Sequence, residues 1–159
     1  MPFTVEGFNH HGITVRSIDR ARQFFEGVLG FTAGAPIELD EEFAAGVTGV
    51  PGARIRVVFL QGPGVAIELL EYLAPGARGT VHAEPSDTGA VHLALFVDDV
   101  RAVVDASREA DWHLAGSVQP ITVGPRAGGS AAYLRDSDGI TVEIVQRPAQ
   151  QNQTATVEE

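Results

Sequence analysis

Cysteine is absent from the 159 residues, which excludes disulfide bridges and thiolate metal ligands. Basic residues are scarce: 11 Lys and Arg stand against 21 Asp and Glu, a formal net charge of −10. Nucleic-acid binding needs clustered cations against phosphates, and the basic residues here are few and scattered, so that class is set aside. The acidity itself reads as a device for solubility. No apolar run approaches the roughly 20 residues of a bilayer-spanning helix, so no membrane role is expected. Nor does the chain open with a basic segment and an apolar stretch, the mark of a secretory signal, and a cytoplasmic protein is expected. What is present fits a compact, turn-rich globule: 44% hydrophobic residues, with 18 glycines and 9 prolines. The length suits one domain, or two half-size modules sharing a core.

The second possibility is favoured by an internal repeat. His10-His11-Gly12-Ile13-Thr14-Val15 and His92-Leu93-Ala94-Leu95-Phe96-Val97 align without a gap at one offset (92 − 10 = 82; 97 − 15 = 82). Each copy closes on a similar phrase. In the first it is Phe59-Leu60, a glycine turn and Gly64-Val65-Ala66-Ile67-Glu68; in the second, Tyr133-Leu134, a turn and Gly139-Ile140-Thr141-Val142-Glu143.

Patterning predicts strands at 8–15, 31–37, 54–61 and 65–71, with a helix capped by Ser17 and ended by Gly30. The acidic, Gly-rich stretch 38–52 has room for one short helix. The second half repeats the order: strand 90–97, helix 99–110, and strands near 112–118, 130–135 and 140–146. A strand, a helix and three strands, twice, argue an α+β fold. The expected organisation is a first module at 1–72, a linker at 73–89, a second module at 90–147 and a frayed, disordered tail at 148–159.

Alternation along a strand puts His10 with Gly12 and Thr14 and turns His11 to the other face. Glu68 lies with Ala66 and Leu70, away from Glu71. His92 lies with Ala94 and Phe96, and Glu143 with Thr141 and Val145. The opposite faces are uniformly apolar and must pack against the helices. A glutamate inside an apolar strand is costly to bury unpaired. Two histidines and two glutamates at matching places in both modules therefore read as the donors of a metal centre: His10, Glu68, His92 and Glu143. Arg54 and Arg56, which share a strand face, and Phe96 are candidates to meet substrate. His82 and His113 read as ordinary surface or packing residues.

The pattern H-x-G-I-x-V, Phe24-Phe25 with Leu29-Gly30-Phe31, and Asp136-x-Asp138-Gly139-x-x-x-Glu143 resembles the vicinal oxygen chelate superfamily. Its members include glyoxalase I, methylmalonyl-CoA epimerase, extradiol dioxygenases and the fosfomycin and bleomycin resistance proteins. The likeness runs from about Phe8 to Gln146 and is strongest to the epimerase and glyoxalase I branch. It implies two βαβββ modules paired into one curved mixed β-sheet, helices on the outer face, and assembly as a homodimer. It also implies one divalent ion (Zn, Ni, Co, Mn or Fe) on His10, Glu68, His92 and Glu143. The implied chemistry is that of a metal-dependent lyase or isomerase, with proton transfer through an enediolate of a small oxygen-chelating substrate. Glu143 is the expected proton-moving residue and Glu68 the second candidate. Two alternatives stand beside it: a non-haem Fe(II) ring-cleaving dioxygenase, disfavoured by a second carboxylate, and a resistance protein that sequesters a natural product. The epimerases place an acidic residue before a Gly-Val pair; here Thr48 precedes Gly49-Val50, which argues against methylmalonyl-CoA.

Overall fold

The computed structural model describes residues 3–75, 79–81 and 83–149. His82 and residues 150–159 of the expected tail lie outside them. The chain divides into two compact units, Met1–Gly79 and Thr80–Glu159, each an α+β module with its own mixed five-stranded sheet.

The first module runs β1 (His11–Thr14), α1 (Ile18–Phe25), β2 (Thr32–Ala33), β3 (Ile37–Leu39), α2 (Glu41–Thr48), β4 (Arg54–Gly62) and β5 (Val65–Ala74). The second runs β6 (Leu93–Val97), α3 (Val100–Ser107), a 3-10 turn at Arg108–Ala110, β7 (His113–Leu114), β8 (Gln119–Pro120), β9 (Ser130–Arg135) and β10 (Thr141–Gln146). In both sheets the first and last strands pair in parallel, β1 with β5 and β6 with β10, while the other ladders are antiparallel. The strand expected at 31–37 is two short edge pieces, β2 and β3, both paired to β4. β5 continues two residues into the stretch expected as linker, because Ala74 still finds a partner opposite Arg54.

Helix α1 forms where the sequence predicts it. The Ser17 hydroxyl accepts from the Arg20 amide, and Ile18, Ala21, Phe24 and Phe25 fall on one buried face. They pack over a sheet face bearing Ile13, Val15, Ile67 and Leu69, all buried. Helix α3 repeats the design with Asp99 as its cap and Val100 and Val104 buried. Helix α2, capped by Asp40 and closed by Gly49 in a left-handed conformation, has no counterpart among the described residues of the second module. It belongs to a separate small core made of Ala44, Ala53, Ile55 and Val57.

Two glycines have a steric reason to be there. A Cβ on Gly62 would lie 2.3 Å from the Phe31 ring, and one on Gly139 (φ 85°) would lie 2.6 Å from the Val81 carbonyl oxygen. Beside Gly139, Asp136 Oδ1 accepts from the amides of Asp138 and Ile140. The Asp-x-Asp-Gly phrase is thus a turn that delivers β10 in register.

One contact is repeated in both modules and holds each crossover helix to its sheet. The Ile18 amide, first in α1, donates to Glu71 Oε2 at 3.0 Å; the Val100 amide, first in α3, donates to Gln146 Oε1 at 3.1 Å. Both acceptors stand three residues beyond a site glutamate (71 − 68 = 3; 146 − 143 = 3). These first-turn amides have no partner inside the helix, so a strand side chain satisfies them. Glu71→Ala and Gln146→Ala are each expected to destabilise by about 1–2 kcal/mol in urea unfolding. Replacing the exposed Glu109 by Ala is expected to change stability by less than about 0.5 kcal/mol.

Candidate metal centre

The parallel ladders set the site. In the first module Gly12 stands opposite Glu68; in the second, Ala94 stands opposite Glu143. Each histidine lies two residues before that small residue, so it shares the glutamate's face and reaches across a gap without bulk. The result is two imidazole–carboxylate pairs, His10 Nε2 to Glu68 Oε2 at 3.0 Å and His92 Nε2 to Glu143 Oε2 at 3.1 Å. A Cβ built on Gly12 would lie 3.8 Å from Glu68 Oε2 and 4.0 Å from His10 Cδ2, which places all three on one face. The glutamates are the more enclosed partners, at 16% and 20% side-chain exposure against 32% and 40% for the histidines. Within either module, among the described residues, no third His, Asp or Glu joins a pair to form a metal-holding group.

The surroundings of the two pairs differ. His10 Nδ1 lies 2.6 Å from Asn9 Oδ1, so the ring faces an oxygen at each nitrogen. Its ring also meets the edge of Phe59 at a centroid distance of 5.7 Å. In the second module the position of Phe59 is taken by Tyr133, paired across the strands with Glu143 as Phe59 is with Glu68. The Tyr133 ring lies 5.0 Å from the His92 ring, and its hydroxyl is 3.4 Å from His92 Nε2. Burial first, and then the Glu143 charge, push the Tyr133 phenol above its ordinary range. Sequence patterning overlooked Tyr133, because an aromatic residue opposite the glutamate in both modules reads as packing.

The other sequence candidates are placed as follows. His11 stands opposite Ile67, on the face away from Glu68, and Glu71 caps α1 on that same face. Arg56 does not join the site. It pairs across the strands with Glu71, three residues and therefore one face away from Glu68, with its guanidinium 3.9 Å from that carboxylate. Arg54 is exposed at the strand end, past a register shift. Phe96 lies on the His92 face by alternation, half exposed, with the Arg147 guanidinium 3.8 Å and the Arg126 guanidinium 5.4 Å from its ring centroid. Thr48 donates its hydroxyl to the Ala44 carbonyl at the end of α2. His113 lies 3.2 Å from Asp111 at an exposed turn.

Residues 7–144 match the model of the Glyoxalase/Bleomycin resistance protein/Dioxygenase superfamily. The chain is 33% identical to a 2-epi-5-epi-valiolone epimerase of an Actinomyces species, over 89% of this chain and 79% of that protein. It is 30% identical to an ethylmalonyl-CoA/methylmalonyl-CoA epimerase of Cereibacter sphaeroides, over 87% of this chain and 96% of that protein. Among solved structures, a glyoxalase family protein from Bacillus cereus superposes with a TM-score of 0.79 at 21% identity, covering 93% of this chain and 98% of that one. The chain belongs to the Glyoxalase/Bleomycin resistance protein/Dioxygenase superfamily.

The Tyr133 phenol is expected to ionise above the usual tyrosine range, and to move back toward it when Glu143→Gln removes the neighbouring charge. Tyrosinate absorbance followed against pH checks this. The chain holds 2 tyrosines, and a parallel titration of Tyr133→Phe isolates the other.

Proposed function

We propose that this member of the superfamily is a divalent-metal-dependent isomerase of the epimerase type, with His10, Glu68, His92 and Glu143 as the ligands of one ion. The observation that carries the reading is the repeated imidazole–carboxylate pair. If an ion binds, each pair would offer it one imidazole nitrogen and one carboxylate oxygen from the same sheet face. The two pairs measure 3.0 and 3.1 Å. His10 adds a second argument. A neutral imidazole has one N–H, yet its two nitrogens face Asn9 Oδ1 and Glu68 Oε2. A cation between Nε2 and Glu68 Oε2 would satisfy both atoms while Nδ1 faces Asn9.

The donor set of two imidazoles and two carboxylates suits Zn, Ni, Co, Mn or Fe without singling one out. A bound divalent ion supplies Lewis-acid polarisation of a substrate oxygen. The protein moves the proton. Glu143 would remove it from one face of the carbon next to the substrate carbonyl, and inversion is completed when a second proton donor delivers to the opposite face. The carboxylate is suited to this by its position, one-fifth exposed at a sheet face with His92 and the Tyr133 hydroxyl beside it. Glu68 is the second candidate for the same role. The two epimerase relatives support an isomerase, and a carboxylate in each module argues against the two-histidine, one-carboxylate set of Fe(II) dioxygenases.

Two measurements test the proposal. Titration with cobalt(II) followed by visible absorbance is expected to show affinity lowered roughly tenfold or more by His10→Ala or His92→Ala, and unchanged by His11→Ala. Glu143→Gln is expected to abolish incorporation of solvent deuterium beside the carbonyl across a panel of hydroxy-ketones and acyl thioesters, with the circular dichroism spectrum retained. Full exchange in that variant refutes the assigned role.

A further inference from the structure

The two modules share a ladder but not a wall. In the first, α2 lies over the site-bearing side of β4 and fills it with Ala44 against Ile55 and Val57. In the second, residues 111–129, all described, contain no helix. The equivalent strand is also stripped of bulk. At the offset that matches Phe59 to Tyr133, Val57 becomes Ala131 (133 − 59 = 74; 131 − 57 = 74). The ladder supports the match, since Val57 faces Leu70 and Ala131 faces Val145, both two residues past the site glutamate. A hollow of about 410 Å³ opens there, lined among others by Pro85, Ala115, Ser117, Gln119, Ala131 and Tyr133. Tyr133 thus borders the hollow and also reaches His92 Nε2.

The geometry points to this hollow as the pocket for the non-reacting part of the substrate, an uncharged hydroxylated small molecule, with the Tyr133 hydroxyl as a positioning donor between pocket and His92–Glu143 pair. The inference rests on the proposed proton-transfer site and adds its substrate class. The volume is that of a small-molecule site, where apolar walls carry a few polar groups that fix orientation. The polar groups are Ser117, Gln119 and Tyr133, and Gln119 already donates to Ser117 at 2.7 Å. No residue of the lining is charged. An anionic group buried there would lose its hydration without a counter-charge, whereas hydroxyls find donors and acceptors. Arg126 and Arg147, the cations at Phe96, are not part of the lining. In the first module Phe59 offers no hydroxyl, so this recognition is confined to the second.

The test is a titration of the full-length chain, with and without zinc, followed by amide proton–nitrogen correlation spectra. The uncharged probe is myo-inosose, a cyclic polyhydroxy-ketone; the anionic probe is malonyl-CoA. Myo-inosose is expected to shift the amides of Gly116, Ser117, Gln119, Ala131 and Tyr133. Ala131→Phe, which fills the hollow, is expected to remove those shifts while zinc uptake persists. Tyr133→Phe, which deletes one hydroxyl and keeps the ring, is expected to weaken the probe roughly three- to tenfold. The inference is overturned by myo-inosose shifts that spare these amides or survive Ala131→Phe undiminished, by malonyl-CoA shifting them instead, or by shifts there that follow protein dilution, which assign the hollow to a second copy of the chain. Loss of metal uptake in the wild type would refute the metal centre alone, because binding in the hollow is read without added zinc.

Discussion

Everything in the site follows from one pairing: the first and last strands of each module run in parallel, with a small residue opposite a glutamate. Gly12 opposite Glu68 and Ala94 opposite Glu143 are the same register written twice. A shift of a single residue would turn the carboxylate to the helix side, because side chains alternate with a period of two. The same shift would carry Glu71 or Gln146 away from the first amide of its helix. The site and the helix anchor are therefore two sides of one strand. The apolar faces that pack on α1 and α3 hold that strand in phase, since slipping it would expose the whole buried set.

Much of this was legible before any coordinates. The repeat was visible at a constant offset, and alternation alone separated His10 from His11 and Glu68 from Glu71. Those distinctions depend only on strand periodicity, which is a local property. The α1 core face was legible for the same reason, from helical spacing. What was not legible depends on contacts between elements. The anchoring of helix amides by Glu71 and Gln146 joins residues 53 and 46 positions apart, and its only trace in the sequence is the shared spacing after each glutamate. Arg56 carried a plausible charge, but its face is set by its register against Glu71. Tyr133 was concealed by its own alignment with Phe59, because aromatic bulk is common to both and the hydroxyl is not.

The duplication also shows which parts of a module are free to differ. Both pairs keep the same reach, 3.0 and 3.1 Å, although one has Asn9 and Phe59 around it and the other Tyr133. The helix anchor tolerates a carboxylate in one copy and an amide in the other, since either supplies the acceptor oxygen. The walls diverge most, with α2 over one sheet and an open hollow over the other. The two modules are alike in ladder and unlike in wall.

That contrast has an evolutionary corollary in the lengths of the two modules. From the small residue to its glutamate the first module spends 56 positions and the second 49 (68 − 12 = 56; 143 − 94 = 49). Seven residues have entered or left one copy while the His–Glu geometry stayed within 0.1 Å (3.1 − 3.0 = 0.1). Loop length adds little to the entropy of closing a chain, so such insertions are thermodynamically cheap. A lineage of this fold can therefore lengthen, shorten or rebuild the segment between helix and hairpin without disturbing how each histidine meets its glutamate.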